Sequence, residues 1–277
     1  MRILLIAVAA LVLCACSGGG ESTATATPPA AATASATRVP EATSTPTPLP
    51  PTATPVPTAT SVPQTTSPAV PLIRGPATRK AVVFTFDAGA DRGFTEQILE
   101  TLSKENIKVG FGMTGQWATQ NTDLLKRIAA EGHVFINHSY SHASFTGLST
   151  SSRPMTQAER FSELDRTEEV VRAATGKSTK PFFRPPYGDY DASVNTDVGL
   201  RGYAYNVLWT VDSRGWMGLS AAEIAQRCLS LAEPGAIYIF HVGSASQDAA
   251  ALPAVISGLR AQGYEIVPFT DFVPAPR

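Results

Sequence analysis

From Ala81 onward the chain alternates short β-branched and aromatic runs with helical patterns, and a polar residue able to do chemistry stands at the end of almost every run. Ala81-Val82-Val83-Phe84-Thr85-Phe86 stops at Asp87. A helix opening at Thr95, with Ile98, Leu99 and Leu102 on one face, leads to a strand from Val109 to Met113, and a second helix spans Asp123 to Glu131. Val134-Phe135-Ile136 then runs into His138 and His142. Beyond the capping box Thr156-Gln157-Ala158-Glu159, whose helix reaches about Ala174, Phe182-Phe183 runs into Arg184, and a strand from Tyr203 to Trp209 ends near Asp212. A second capping box at Ser220 to Glu223 precedes Ala236 to Phe240, which delivers His241; a helix to about Ala261 and a strand at Glu265-Ile266-Val267 follow. Such alternation predicts a parallel sheet, open or closed into a barrel. The carboxyl ends of parallel strands share one face, so Asp87, His138, Arg184, Asp212 and His241 are expected to converge there.

The first quarter of the chain has a different composition. Met1 to Ala15 carries Arg2 and then an apolar stretch from Ile3 to Leu13, the order of a secretory signal, too short to remain as a membrane span. Leu13-Cys14-Ala15-Cys16 resembles the lipobox of bacterial lipoproteins, which implies cleavage after residue 15 and a lipid on Cys16. Residues 16–72 are dominated by Ser, Thr, Ala, Pro and Gly and hold too few large apolar groups for a core, so a disordered tether with a reach of up to about 170 Å is expected. The folded domain is assigned to 73–277, outside the cytoplasm and facing a cell wall or the exterior. Of three cysteines only Cys228 is left as a free thiol after processing, on a helix with Ile224, and it reads as core.

Two of the four histidines, His138 and His142, sit four apart at a strand end. Alone, that spacing suits a polar loop as well as a metal. With a carboxylate they make the open ligand set of a catalytic metal, which activates a water and polarises a carbonyl oxygen. Asp87 would then accept the water's proton, Arg184 would keep Asp87 ionised and oriented, and His241 would protonate the leaving group. Each residue also has a plainer reading: Asp87 as a turn cap, Arg184 as an ion-pair partner, His241 as a satisfied core histidine. His133 is read as structural, and the shared strand-end position favours a site for the others.

Thr85-Phe86-Asp87-Ala88-Gly89, His138-Ser139-Tyr140-Ser141-His142, Arg184-Pro185-Pro186-Tyr187, Asp212-Ser213-Arg214-Gly215-Trp216 and Ile239-Phe240-His241 resemble, in order, the five motifs of the NodB-type polysaccharide deacetylases, carbohydrate esterase family 4. The resemblance covers about residues 79 to 273. It implies a single distorted (β/α) barrel and metal-dependent removal of acetyl from N-acetylated sugars such as those of peptidoglycan or chitin. By the same resemblance His138 and His142 hold the metal, Asp87 is the base, Arg184 orients it and His241 is the acid. Tyr187 would offer a backbone N–H to the oxyanion, and Trp216 would wall the acetyl pocket. Two positions depart from the pattern. Ala88 stands where the family has an Asp that ligates the metal; Asp91 in the same loop is the expected replacement, with Asp87 ligating directly as the alternative. Gly215 stands where the family commonly has an Asp that tunes the acid histidine, and Asp212 is the expected substitute.

A divalent ion is therefore expected, zinc by default, with cobalt, nickel or iron acceptable to the same donors. The expected partners are an N-acetylated glycan polymer and, through the lipid on Cys16, a membrane. An O-acetyl carbohydrate esterase and a catalytically impaired glycan-binding domain are the alternatives. A formal net charge of −1 with no basic run argues against nucleic acid. No phosphate-cradling glycine loop opens a helix, which argues against nucleotides, and no Gly-x-Ser-x-Gly elbow provides a serine hydrolase.

Overall fold

The computed structural model describes residues 67–89 and 91–274. Contacts divide the chain into Met1–Pro57 and Thr58–Arg277, and all the described residues belong to the second unit. The signal segment 1–15, Cys16 and the tether up to residue 66 lie outside the described residues.

In chain order the elements are β1 (Val70–Leu72), β2 (Ala81–Ala88), α1 (Thr95–Glu105), β3 (Gly110–Met113), α2 (Gly115–Gln120), α3 (Thr122–Ala130), β4 (Val134–Asn137), α4 (Gln157–Thr175), β5 (Phe182–Phe183), α5 (Ala192–Leu200), β6 (Tyr205–Val207), β7 (Val211–Asp212), α6 (Ala221–Ser230), β8 (Ile237–His241), α7 (Asp248–Ala261) and β9 (Glu265–Ile266). One sheet runs β1-β6-β5-β4-β3-β2-β8-β7, with β9 joined to the start of β2, and every strand pair is parallel. Past β1 the chain bonds back toward β8, Arg74 pairing with Ala236, so the sheet curls into a half-barrel. The parallel (β/α) architecture expected from the alternation is the one present.

β2 shows how the sequence sorts its two faces. Val82, Phe84, Phe86 and Ala88 join the apolar cluster between sheet and helices, where Phe84 and Phe240 meet edge to face at 5.2 Å. Ala81 and Val83 instead join the cluster inside the curl. Period-two alternation carries that inner face on through Thr85 to Asp87 at the rim. Both capping boxes are formed, Thr156 with Glu159 and Ser220 with Glu223, and they start α4 and α6. Cys228 is buried in the main cluster, and burial pushes its thiol up to about 12.

Several boundaries differ from expectation. The fold starts at β1, inside the stretch assigned to the tether; Pro71 disguised it, yet β1 is an edge strand, where a missing N–H is tolerated. The run Tyr203 to Trp209 does not lead to Asp212 as one strand. β6 pairs with β1 and β5, whereas β7, which carries Asp212, pairs with β8 on the far edge. Phe94 rather than Thr95 is the N-cap of α1. The short helices α2 and α5 were not expected.

Candidate active site

The inner rim of the sheet opens into a cavity of about 610 Å³ lined by Asp87, His138, His142, Tyr187, Trp216 and His241, among others. Asp87 sits at its floor, 7% exposed. Its Oδ1 accepts Arg184 Nη1 at 2.6 Å, while Arg184 Nη2 donates to Thr85 Oγ1 at 2.9 Å and Arg184 Nε to the Val207 carbonyl at 3.0 Å. The guanidinium is fully buried, and all three of its nitrogens donate to fixed oxygens. Gly112 on the neighbouring strand makes room for this pair, since a Cβ there would lie 2.4 Å from Asp87 Oδ1. Burial raises the Asp87 pKa, but Arg184, with His138 and His241 behind it, brings it below the ordinary carboxylate value. Asp87 is thus ionised at neutral pH.

The histidine loop is held from outside by α4. Glu163 Oε2 accepts the backbone N–H groups of Tyr140 and Ser141, both at 2.8 Å, and the Ser141 hydroxyl at 3.0 Å. The His142 N–H donates to Ser139 Oγ at 3.0 Å. Ser139, His142 and Tyr187 all take positive φ, near 62°, a conformation disfavoured for residues with a Cβ. The rings of His138 and His142 meet at 4.8 Å and 75°, and His142 meets Tyr187 at 4.8 Å.

The protonation of His138 follows from its neighbours. Its Nδ1 lies 2.9 Å from the Arg184 carbonyl, which can only accept, so Nδ1 carries the proton. Burial lowers its pKa, leaving the ring neutral and Nε2 as a bare lone pair. That lone pair faces Asp87 Oδ2 at 3.3 Å. Two acceptors so placed, beside a His142 that burial lowers to about 4, suit a divalent cation. Even so, among the described residues no three His, Cys, Asp or Glu side chains stand ready as a metal-binding group. The fit is that of two imidazoles with one carboxylate oxygen beside them.

Neither expected replacement carboxylate reaches its place. Asp91 turns to the far loop, where it accepts the Ser244 N–H at 2.9 Å and the Ser244 hydroxyl, and those bonds lower its pKa. Asp212 holds its own loop, accepting the Arg214 N–H at 2.8 Å and Trp216 Nε1 at 3.4 Å. The carboxylate beside His241 is Asp248, with Oδ2 at 3.8 Å from His241 Nδ1. Its sequence signal was faint: a lone acidic residue opening the apolar stretch Ala249 to Leu252, seven residues after the histidine. Burial lowers the His241 pKa, but Asp248, Asp87 and Asp212 outweigh it and raise the value overall.

Tyr187 and Trp216 are half exposed at the mouth of the cavity. Ser149, on the loop between His142 and α4, also lines the cavity. His133 is buried away from the site and accepts the Val109 N–H through Nδ1 at 3.3 Å.

A family model described as polysaccharide deacetylase matches residues 74–205. The chain is 32% identical over 196 residues to a peptidoglycan-N-acetylglucosamine deacetylase of Bacillus cereus, a match covering 70% of this chain and 68% of the relative. It is 32% identical over 202 residues to a peptidoglycan-N-acetylmuramic acid deacetylase of Bacillus subtilis, covering 72% and 73%. It spans only 40% of the longer peptidoglycan-N-acetylglucosamine deacetylase of Listeria monocytogenes, to which it is also 32% identical. Among solved structures, a pseudoenzyme of carbohydrate esterase family 4 from Bacillus anthracis superposes with a TM-score of 0.67 at 28% identity, covering 74% of this chain and 69% of that one.

Proposed function

The chain belongs to the polysaccharide deacetylase family, and from that premise we propose that it hydrolyses acetyl groups from an N-acetylated glycan polymer, peptidoglycan or a chitin-like chain. The observation that carries the reading is the ionised, Arg184-held Asp87 facing the bare Nε2 of His138 on the floor of an open cavity. His138 and His142 would hold a divalent ion, zinc by default, which when bound supplies Lewis-acid polarisation of the acetyl carbonyl and a more acidic water. Asp87 accepts the proton of the attacking water, with Arg184 fixing the direction of its free oxygen. His241, from the opposite strand, donates a proton to the sugar nitrogen as the C–N bond breaks. The Tyr187 backbone N–H faces the developing oxyanion, and Trp216 walls the acetyl methyl. The lipid on Cys16 would hold this head to the outer face of a membrane within reach of the wall.

A second reading, glycan binding without turnover, has its own support in the incomplete ligand group and the likeness to a pseudoenzyme. One experiment on the full chain separates them. We expect about one divalent ion per chain and acetate release from N-acetyl glycan, with Asp87→Asn lowering kcat about 10³-fold at saturating metal. Glycan binding with no acetate from N- or O-acetyl substrates at full metal loading selects the second reading. Acetate from O-acetyl glycan alone makes the protein an esterase.

A further inference from the structure

Position 215 and helix α7 share one small volume. Gly215 is not among the residues with positive φ, so its backbone does not require glycine. Its surroundings do: a Cβ would lie 2.2 Å from Ser246 Oγ and 2.6 Å from Asp248 Oδ1. The space a side chain at 215 would occupy is filled by the carboxylate that opens α7.

Asp248 is fully buried. Its Oδ2 accepts the backbone N–H of His241 at 2.7 Å and the Ser213 hydroxyl at 3.0 Å, and Ser213 Oγ in turn accepts the Gly215 N–H at 3.2 Å. The fourth motif, the end of β8 and the start of α7 are thereby tied to one carboxylate. Two buried polar atoms in this knot lack a hydrogen-bond partner, His241 Nδ1 and Asp248 Oδ1. They belong to the two side chains that face each other, with Nδ1 3.8 Å from Oδ2. Buried polar groups are rarely left unpaired, so Nδ1 and this carboxylate are each other's natural partners.

We infer that Asp248 is the positioning residue of His241: it accepts Nδ1–H, fixes the ring in that tautomer, and leaves Nε2 as the atom that meets the leaving group. The carboxylate that the family's pattern places at 215 has moved to the start of α7, and Gly215 is the vacated position. The remaining titratable groups around His241 are Asp87 on β2 and Asp212 at the end of β7, with His138 and His142 across the cavity. Asp87 is engaged by Arg184 and Asp212 by its own loop, which leaves Asp248 as the carboxylate without another charge partner.

The catalytic consequence rests on the deacetylase reading; the tautomer does not. The test is ¹⁵N-histidine NMR of the full chain, in which the four rings are resolved by substitution. In the unsubstituted protein we expect the neutral form of His241 to carry its proton on Nδ1. Asp248→Asn should abolish that preference and lower kcat about 10²-fold with KM held within about twofold. The relocated variant Gly215→Asp/Ser246→Ala/Asp248→Ala should restore both the tautomer and most of kcat, a rescue that a purely structural Asp248 would not allow. A predominant Nε2–H tautomer in the unsubstituted protein overturns the inference whether or not any variant folds. So does a His241 spectrum that responds to Asp212→Asn and ignores Asp248→Asn. If the ring responds as expected while no form of the protein releases acetate, the positioning stands and the deacetylase reading fails.

Discussion

Ala88 and Gly215 are the two places where this chain lacks a carboxylate that its family's pattern supplies, and the fold treats them in opposite ways. Around Gly215 the surroundings are polar and tight, and Asp248 enters from a neighbouring helix to fill the gap. Ala88 is fully buried. Its methyl lies with Phe86, Met113 and Val242 in the apolar cluster behind the sheet, and the nearest acidic residue in the loop, Asp91, is bound to Ser244. A charge can be relocated where donors already converge, as Ser213 Oγ and the His241 N–H do. It cannot be relocated into a slot lined by hydrocarbon, because an unpaired carboxylate there pays full desolvation.

The largest effect expected from this contrast comes from writing the family's residue back at position 88. Without metal, Ala88→Asp should cost about 3–5 kcal/mol of stability by burying an uncompensated charge. If the new carboxylate swings toward His138 and His142, zinc should recover much of that loss and bind at least about tenfold tighter than in the unsubstituted protein. Thermal unfolding with and without zinc, together with calorimetric titration, reads both numbers. Unchanged metal-free stability would mean that position 88 has a polar outlet, and the contrast with Gly215 would collapse.

Writing Asp back at 215 alone should cost less, about 1–3 kcal/mol, from overpacking against Ser246 and Asp248. Adding Ser246→Ala and Asp248→Ala should return most of it, and denaturant unfolding of the single and triple variants measures the difference.

A smaller effect appears in the pH profile. His241 has its pKa raised above 6.5, so its protonated form persists to higher pH and the alkaline limb of kcat should lie above that value. Removing the Asp248 charge takes away one of the groups that raise it, so the limb of Asp248→Asn should move down: with each profile scaled to its own plateau, the two part on the alkaline side and agree on the acid side. Parallel profiles would shift the tuning to Asp87 and Asp212.

The sequence carried the sheet because period-two runs and two capping boxes are local signals, each sufficient within a few residues. It carried the strand-end rim for the same reason: parallel pairing turns local strand ends into a shared face, and Asp87, His138, Asp212 and His241 line one cavity, with Arg184 buried behind Asp87. What it could not carry was set by packing between distant segments. β1 hid behind Pro71, and α2 and α5 are short, with Gly115 opening one and Gly199 near the end of the other, so neither shows a helical stripe. Asp212 was the nearer carboxylate in sequence to the fourth motif, whereas Asp248 is the nearer in space to His241, and only the junction of β8 with α7 distinguishes them.

The smallest effect is the sharpest check on the Ala88 side of the comparison. Asp91→Ala removes a carboxylate bound to Ser244 on the loop after Val242, at the surface and away from His138 and His142. Surface substitutions of this kind change stability by about 0.5 kcal/mol or less, although the loss of two hydrogen bonds to Ser244 places this one toward the upper end. Metal content should stay the same within error, since no donor to the ion is removed. Elemental analysis of the dialysed variant decides it. Loss of the ion would show that Asp91 leaves Ser244 and reaches the histidines when metal arrives, so that the gap at Ala88 is compensated after all, by motion where Gly215 is compensated by packing.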